Sequence, residues 1–440
     1  MSKSIVSMVS FEDPYTSLKK LIEECDGFAG LNPEDKILIK PNIVSWDFEL
    51  PFPPFGVITT TTVIHALVRL LKENGFNHLT IGEGGLPKAH SQDPSVYQTI
   101  GYEDLAKQYG LELVDFNQGR FGQVDFGNFT LSIAQSVLDA DKIINVPVLK
   151  THNQAKVSLG IKNMKGVLSR KSKMFCHGLG EFDLLETFPR IIEKLPVALT
   201  IIDGVYTLEK GPGHTGKAFR KNLLIASRDP LACDLVGAEV LGYKGEEVPY
   251  LQDYAKRNRR SLSLDDLKIK GERLEEHRQF VDYDWEWTKE NTGPIGFEKR
   301  GITGLAIRKY DNSLCTGCSV LFNPMLILMM SSFNGQPFPN IELVSGKSQS
   351  ASEGFAKTIL FGKCACDLNK DNPHIQQAIA VKGCPPDLKD FEELLRAEGI
   401  KVNYEEYVNY RQHIFDRYRP EDGFELNHWQ VKEGTEEVNE

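Results

Sequence analysis

No stretch of this sequence is apolar for long enough to cross a bilayer. Its longest run, Met325 to Met330 with its flanks, falls far short of the roughly 20 residues that a spanning helix needs. The opening residues, MSKSIVSMVSFEDPY, lack the basic segment and continuous apolar run of a secretory signal. Neither membrane insertion nor export is therefore expected, and the expected location is the cytoplasm. Low-complexity tracts and internal repeats are missing as well, which sets aside repeat and disordered architectures. So is a basic excess: 51 Lys and Arg stand against 61 Asp and Glu, a net charge of −10, the wrong sign for a general nucleic-acid binder. What remains is a globular composition, 41% hydrophobic and 25% charged over 440 residues. That length exceeds one ordinary core, so two domains are the natural expectation.

Cysteine is present, and five of the eight fall in a pattern: Cys315-x2-Cys318, Cys364-x-Cys366, and Cys384 followed at once by Pro385 and Pro386. Four thiolates gathered from separate segments suit a [4Fe–4S] cluster, and a Cys-Pro end is common in ferredoxin-type sites. Without an export signal, clustered cysteines point to metal or redox chemistry over structural disulfides. The expected ligands are Cys315, Cys318, Cys364 and Cys384, with Cys366 as the alternative to Cys364. Cys364 is preferred because Gly362-Lys363-Cys364 directly follows a strand. Tetrahedral zinc on the same thiols is the competing reading. Cys25, Cys176 and Cys233 stand alone, and packing explains isolated cysteines, although Cys176 adjoins His177.

From about residue 35 to 235, short β-branched runs alternate with helical stretches, the signature of βαβ units around a parallel sheet. The runs are 36–40, 78–82, 142–146 and 197–202, and Thr62 to Asn74 has helical spacing that stops at Gly75. The chain beyond Gly242 turns polar and reads as a charged connecting or lid segment. Further runs at 304–308, 341–344, 358–361 and 378–381, with an amphipathic helix over 387–397, predict a second, smaller α/β unit. Pro385 and Pro386 would open that helix. The expected organisation is a parallel-sheet α/β domain (1–245), a connecting segment (246–300), a smaller α/β iron–sulfur domain (301–400), and a C-terminal helix with a loose tail (401–440).

Ligands of open parallel sheets bind beyond the carboxyl ends of the strands. Here those ends read Lys40-Pro41-Asn42, Gly82-Glu83-Gly84-Gly85, Pro147 to His152 and Asp203-Gly204. Between Lys150 and Lys173 lie seven Lys or Arg residues and no Asp or Glu, a candidate anion site whose bland alternative is an exposed basic face. That island carries His152 and His177, with Gly160 and Gly166 permitting close approach of a ligand. Lysine holds an anion as a point charge, and histidine moves protons near neutral pH. Asn42, Lys150, Lys165, Asp203 and His214 are the expected substrate contacts. His214 lies in Gly211-Pro-Gly-His-Thr-Gly216, a loop suited to an anion nest. That loop ends in neither a Walker element nor the dinucleotide fingerprint. Asp229 is expected to cap the next helix.

Several ordered motifs resemble one family. IKPNIV, TTTTVIHALVRLLKENG with IGEGG, INVPVLKTH with GIKNMKGVL, the DG-to-GPGHTG segment and ASRDPLACD together look like domain of unknown function 362, over about residues 35 to 242. The resemblance implies a cytosolic protein, common in anaerobes, with a [4Fe–4S] cluster and no assigned substrate; the cysteine part departs from the double ferredoxin repeat of many relatives. A more remote likeness is to nickel-pincer lactate racemases, through Asp139-Ala140-Asp141, His152, Gly160, Lys162 and His177. It implies catalytic roles for Lys162 and His177. The resulting expectation is a redox enzyme acting on a small anionic substrate. Lys150, Lys162 and Lys165 would bind the anion, His152 or His177 would carry the proton, and a ferredoxin-like partner would donate electrons. The alternatives are a non-redox isomerase or lyase and an electron carrier.

Overall fold

Four of the predicted strands, β2 (Ile37–Lys40), β3 (Leu79–Glu83), β7 (Lys142–Asn145) and β10 (Val197–Leu208), are neighbours in one ten-stranded, mostly parallel sheet. The computed structural model describes residues 3–44, 52–86, 93–178 and 182–431. The sheet runs β12-β1-β11-β10-β7-β2-β3-β4, where β1 is Ser4–Ser10, β4 Glu112–Asp115, β11 Ala218–Ser227 and β12 Leu267–Gly271. β8 (Val148–His152) pairs with the far half of β10, and β9 (Lys156–Ser158) folds back on β8. A separate hairpin joins β5 (Phe121–Asp125) and β6 (Thr130–Ala134).

Strands β2, β3 and β7 are short and almost wholly buried, as expected of a parallel sheet covered on both faces. One covering helix, Thr61–Glu73, buries Val63, Leu67, Leu70 and Leu71 and ends at Asn74, where Gly75 takes a left-handed φ of 86°. The helix Pro230–Val240 is capped as expected, Asp229 accepting from the amides of Leu231 and Ala232.

The second sheet is four parallel strands in chain order: β13 (Leu305–Ile307), β14 (Ile341–Ser345), β15 (Lys357–Phe361) and β16 (Ala378–Val381). Its core holds Phe322, Met325 and Leu328 against Ile341, Ile359 and Phe391. Met325–Met330 therefore belongs to a helix, Thr316–Ser331, packed on this sheet.

Three expectations are corrected. The segment 246–300 is not a lid: helix Pro249–Arg257 buries Tyr250, Leu251 and Ala255, and β12 extends the main sheet beside β1. The residues read as a loose tail are packed as far as 431. Trp429 is 4% exposed, donates Nε1–H to the Thr59 carbonyl at 3.2 Å, and lies in an aromatic group with Phe55, Tyr206 and Phe424. Burying such rings outweighs the local polarity of the sequence. Pro385 and Pro386 precede the helix Leu388–Ala397 without entering it, and Asp387 caps it by accepting from the Lys389 amide at 2.7 Å.

Candidate functional site

Strands β2, β3 and β7 end side by side in Lys40, Glu83 and Asn145, three buried polar residues. Lys40 Nζ lies 2.9 Å from Glu83 Oε2, with side chains 0% and 3% exposed. Glu83 also accepts from the amides of Ile43 at 3.0 Å and Gly84 at 2.7 Å. Asn163 ties this pair to Asn145 at 2.8 Å and to Asn42 at 2.9 Å. Lys150 in turn donates to Asn42 Oδ1 and to the Val57 carbonyl, each at 2.7 Å. A Cβ on Gly166 would sit 2.4 Å from Glu83 Oε1, and one on Gly160 2.8 Å from Asp234 Oδ1. Both glycines therefore permit close packing of the protein on itself, and Gly166 also lines the main cavity. Removing one partner of a buried ion pair leaves the other charge uncompensated, so Glu83→Ala is expected to cost about 3–5 kcal/mol, read from urea unfolding.

In front of this network lies a cavity of about 430 Å³, walled by Asn42, Glu83, His152, Lys162, Lys165 and His177 on one side and by Cys315, Thr316, Ser319 and Cys384 on the other. The second sheet's unit thus closes the mouth of the first. Arg170 donates to the Cys384 carbonyl at 2.9 Å, Gln154 to the Asp311 and Leu314 carbonyls at 2.9 Å each, and Lys347 to the His177 carbonyl at 2.6 Å.

Positive charge dominates. Burial pushes Lys165 and Lys173 down to about 8 and Lys162 well below the ordinary lysine range, the neighbouring lysines adding to the shift for Lys162. Lys162 Nζ has Ser158 Oγ at 3.3 Å and the face of Phe188 at 5.6 Å; among the described residues the charged groups that act on it are lysines, with no carboxylate. Lys165 Nζ lies 2.5 Å from His177 Nε2 and 3.1 Å from Thr316 Oγ1. His177 Nδ1 is 2.8 Å from the Asn312 carbonyl, so Nδ1 carries the proton and Nε2 is the acceptor. His152 Nδ1 accepts from the Gln154 amide at 3.1 Å, which puts the proton on Nε2. Burial holds both imidazoles well below their usual range, hence neutral.

Cys315 caps the helix Thr316–Ser331, and Cys318 follows in its first turn. The Cys315 thiol is held well below its ordinary range by a hydrogen bond with Cys318, by the backbone N–H groups of Cys318 and Gly317, and by Lys165. That same hydrogen bond pushes Cys318 up, reinforced by Cys364 and Cys384. Gly362, at φ 89°, lies with its Cβ position 3.2 Å from Cys318 Sγ, which brings the turn before Cys364 against the first pair. Cys366 is elsewhere: its thiol donates to the Leu360 carbonyl at 3.6 Å, and its charged neighbours are Asp367, Lys382 and Lys363. All eight cysteines are free. Among the described residues no group of three or more His, Cys, Asp or Glu side chains is placed so that it could hold a metal ion. Cys318 and Cys364 feel the neighbouring thiols of Cys315 and Cys384, and soft thiols are the donor type that suits iron–sulfur or zinc.

Three expected contacts lie off this cavity. Asp203 is buried with both oxygens occupied, Oδ2 by the Thr60 amide and hydroxyl and Oδ1 by the Val205 amide; it braces the start of the helix Thr61–Glu73. Lys150 stands behind Asn42 and acts through it. His214 lines a second, smaller cavity and stacks on Phe52 at 4.9 Å. Sequence reasoning passed over Glu83 and Asn163 as site residues, although both stand inside quoted motifs at strand and helix ends. It also passed over Thr316, whose only signal was its place beside Cys315.

The fold and site define an α/β protein with a basic, histidine-bearing cavity at parallel strand ends. Residues 37–239 match the model of a domain of unknown function, DUF362. A thylakoid-associated protein of Synechocystis sp. is 29% identical over 239 residues, 53% of this chain and 71% of that protein. The lactate racemase apoprotein from Thermoanaerobacterium thermosaccharolyticum shares 17% identity with a TM-score of 0.33, over 55% of this chain and 57% of the racemase, so the match spans little more than half of that structure. Among the described residues no helix is long and apolar enough to cross a membrane.

Proposed function

We propose that this protein is an iron–sulfur enzyme that acts on a small anionic substrate, with Cys315, Cys318, Cys364 and Cys384 as ligands of a [4Fe–4S] cluster. The carrying observation is that Cys315 and Cys384 wall the same cavity as Lys162, Lys165, His152 and His177. When bound, such a cluster supplies single electrons. The chain's own residues supply the rest. Lys162 and Lys165 attract and orient the anion, and its charge would restore their full protonation. His152 offers an Nε2 proton to the bound molecule. Lys165 bridges His177 and Thr316, so a proton delivered there passes along side chains already in hydrogen-bond contact. A ferredoxin-like protein is the natural electron donor in this reading.

Anaerobic purification tests the proposal. The expected product is brown, absorbs near about 400 nm and contains roughly four iron and four sulfide per chain; a colourless, zinc-loaded protein would overturn it. A non-redox isomerisation is favoured by one observation, the opposite tautomers of His152 and His177 in one cavity, as suits an acid and a base. Substrate-dependent deuterium uptake without an electron donor would select that second reading.

A further inference from the structure

A second cavity of about 100 Å³ opens against the first, with Pro212, Ser319 and Leu321 in the walls of both. One side is the glycine-rich loop around His214, and the other is the helix Tyr404–His413, which presents Tyr407 and Arg411. Among the described residues no Asp or Glu lines it.

Arg411 is 5% exposed. Its Nη1 donates to Tyr407 Oη at 3.0 Å, and its guanidinium lies 5.4 Å from the centre of the Phe52 ring and 5.8 Å from that of Tyr407. Nε and Nη2 reach no acceptor among the described residues. A guanidinium does not shed its proton in a protein, and a buried cation without a partner is costly. The two idle groups also share one edge of the fork, the edge that meets both oxygens of a carboxylate in parallel hydrogen bonds. Asn323, whose buried Oδ1 is likewise unpartnered, stands in the same wall with an amide that can turn to donate or accept.

The geometry points to a second anion subsite, in which Arg411 takes a carboxylate group of a ligand whose other end lies in the main cavity. It rests on the reading of the main cavity as an anion site and narrows the substrate class to molecules bearing two separated anionic groups. The volume suits a carboxylate with one or two carbons better than a bulky headgroup, and the planar edge suits two coplanar oxygens better than a tetrahedral phosphate.

The test is calorimetric titration of the full chain with malonate, succinate, glutarate and adipate, each against the monocarboxylate of equal length, and with inorganic phosphate. At least one dicarboxylate is expected to bind tighter than its monocarboxylate by about tenfold or more. Arg411→Met should erase that ratio while leaving the monocarboxylate unchanged, and Lys162→Met should weaken both alike. Should the methionine variant not fold, Arg411→Lys decides, because it keeps a cation over the rings and gives up the fork. Equal affinities in the wild type, or an unchanged ratio in Arg411→Lys, would overturn the subsite. If monocarboxylate binding ignores Lys162 while the ratio still depends on Arg411, the main-cavity reading fails and the subsite stands. A response confined to phosphate overturns the carboxylate assignment.

Discussion

Cys384→Ser is expected to abolish iron binding and visible absorbance, while Cys366→Ser leaves both at wild-type levels. Cys384 stands in the cavity wall with its carbonyl held by Arg170, and its charge is felt by Cys318 and Cys364. Cys366 is not among the groups that shift Cys315, Cys318 or Cys364; its sulfur is committed to the Leu360 carbonyl. A serine hydroxyl at a ligand position replaces a soft thiolate with a hard, protonated oxygen, which a tetranuclear cluster tolerates poorly. Iron and sulfide analysis of the two variants, purified anaerobically side by side, gives the answer. Loss of iron in Cys366→Ser together with retention in Cys384→Ser would transfer the ligand role and break the assignment.

The second large effect is on anion binding. Lys165→Met is expected to weaken it by about tenfold to a hundredfold, the worth of one or two charge-assisted hydrogen bonds. In the wild type, affinity should fall as pH rises through about 8, where Lys165 and Lys173 lose their protons. Binding an anion there should be accompanied by proton uptake, visible as a dependence of the heat on the buffer. Stability of the ligand-free protein moves the other way. Burial puts these lysines below their unfolded value of 10.5, so between about pH 8 and 10.5 the unfolded chain binds more protons, and their contribution makes stability rise with pH. Affinity and stability with the same pH trend would mean that these lysines do not face the ligand.

Much of this was legible in the order of residues. A β-branched run of four or five residues flanked by polar ends is a buried parallel strand whatever its partners are, and the runs at 37–40, 79–83, 142–145 and 341–345 became such strands. The Asp229 cap and the Gly75 stop are equally local, because they depend on backbone geometry within one turn. Less was readable where polar composition hid burial. The 267–271 strand alternates Leu and Ile with Lys, and only the free edge of β1 gives that alternation a partner.

By itself, then, the sequence determined the strands, the basic island and the spacing of the thiols, since each is a matter of periodicity or short range. The tertiary structure alone decided which of those groups meet. Two residues apart on a helical turn point about 200° away from each other, so once Lys363–Leu368 is helical only one of Cys364 and Cys366 can face the other thiols. Asp203 was likewise claimed by Thr60 and Val205, Lys150 by Asn42, and Arg411 was left with an open edge. Such outcomes turn on which distant acceptor a long side chain meets after the sheets close against each other.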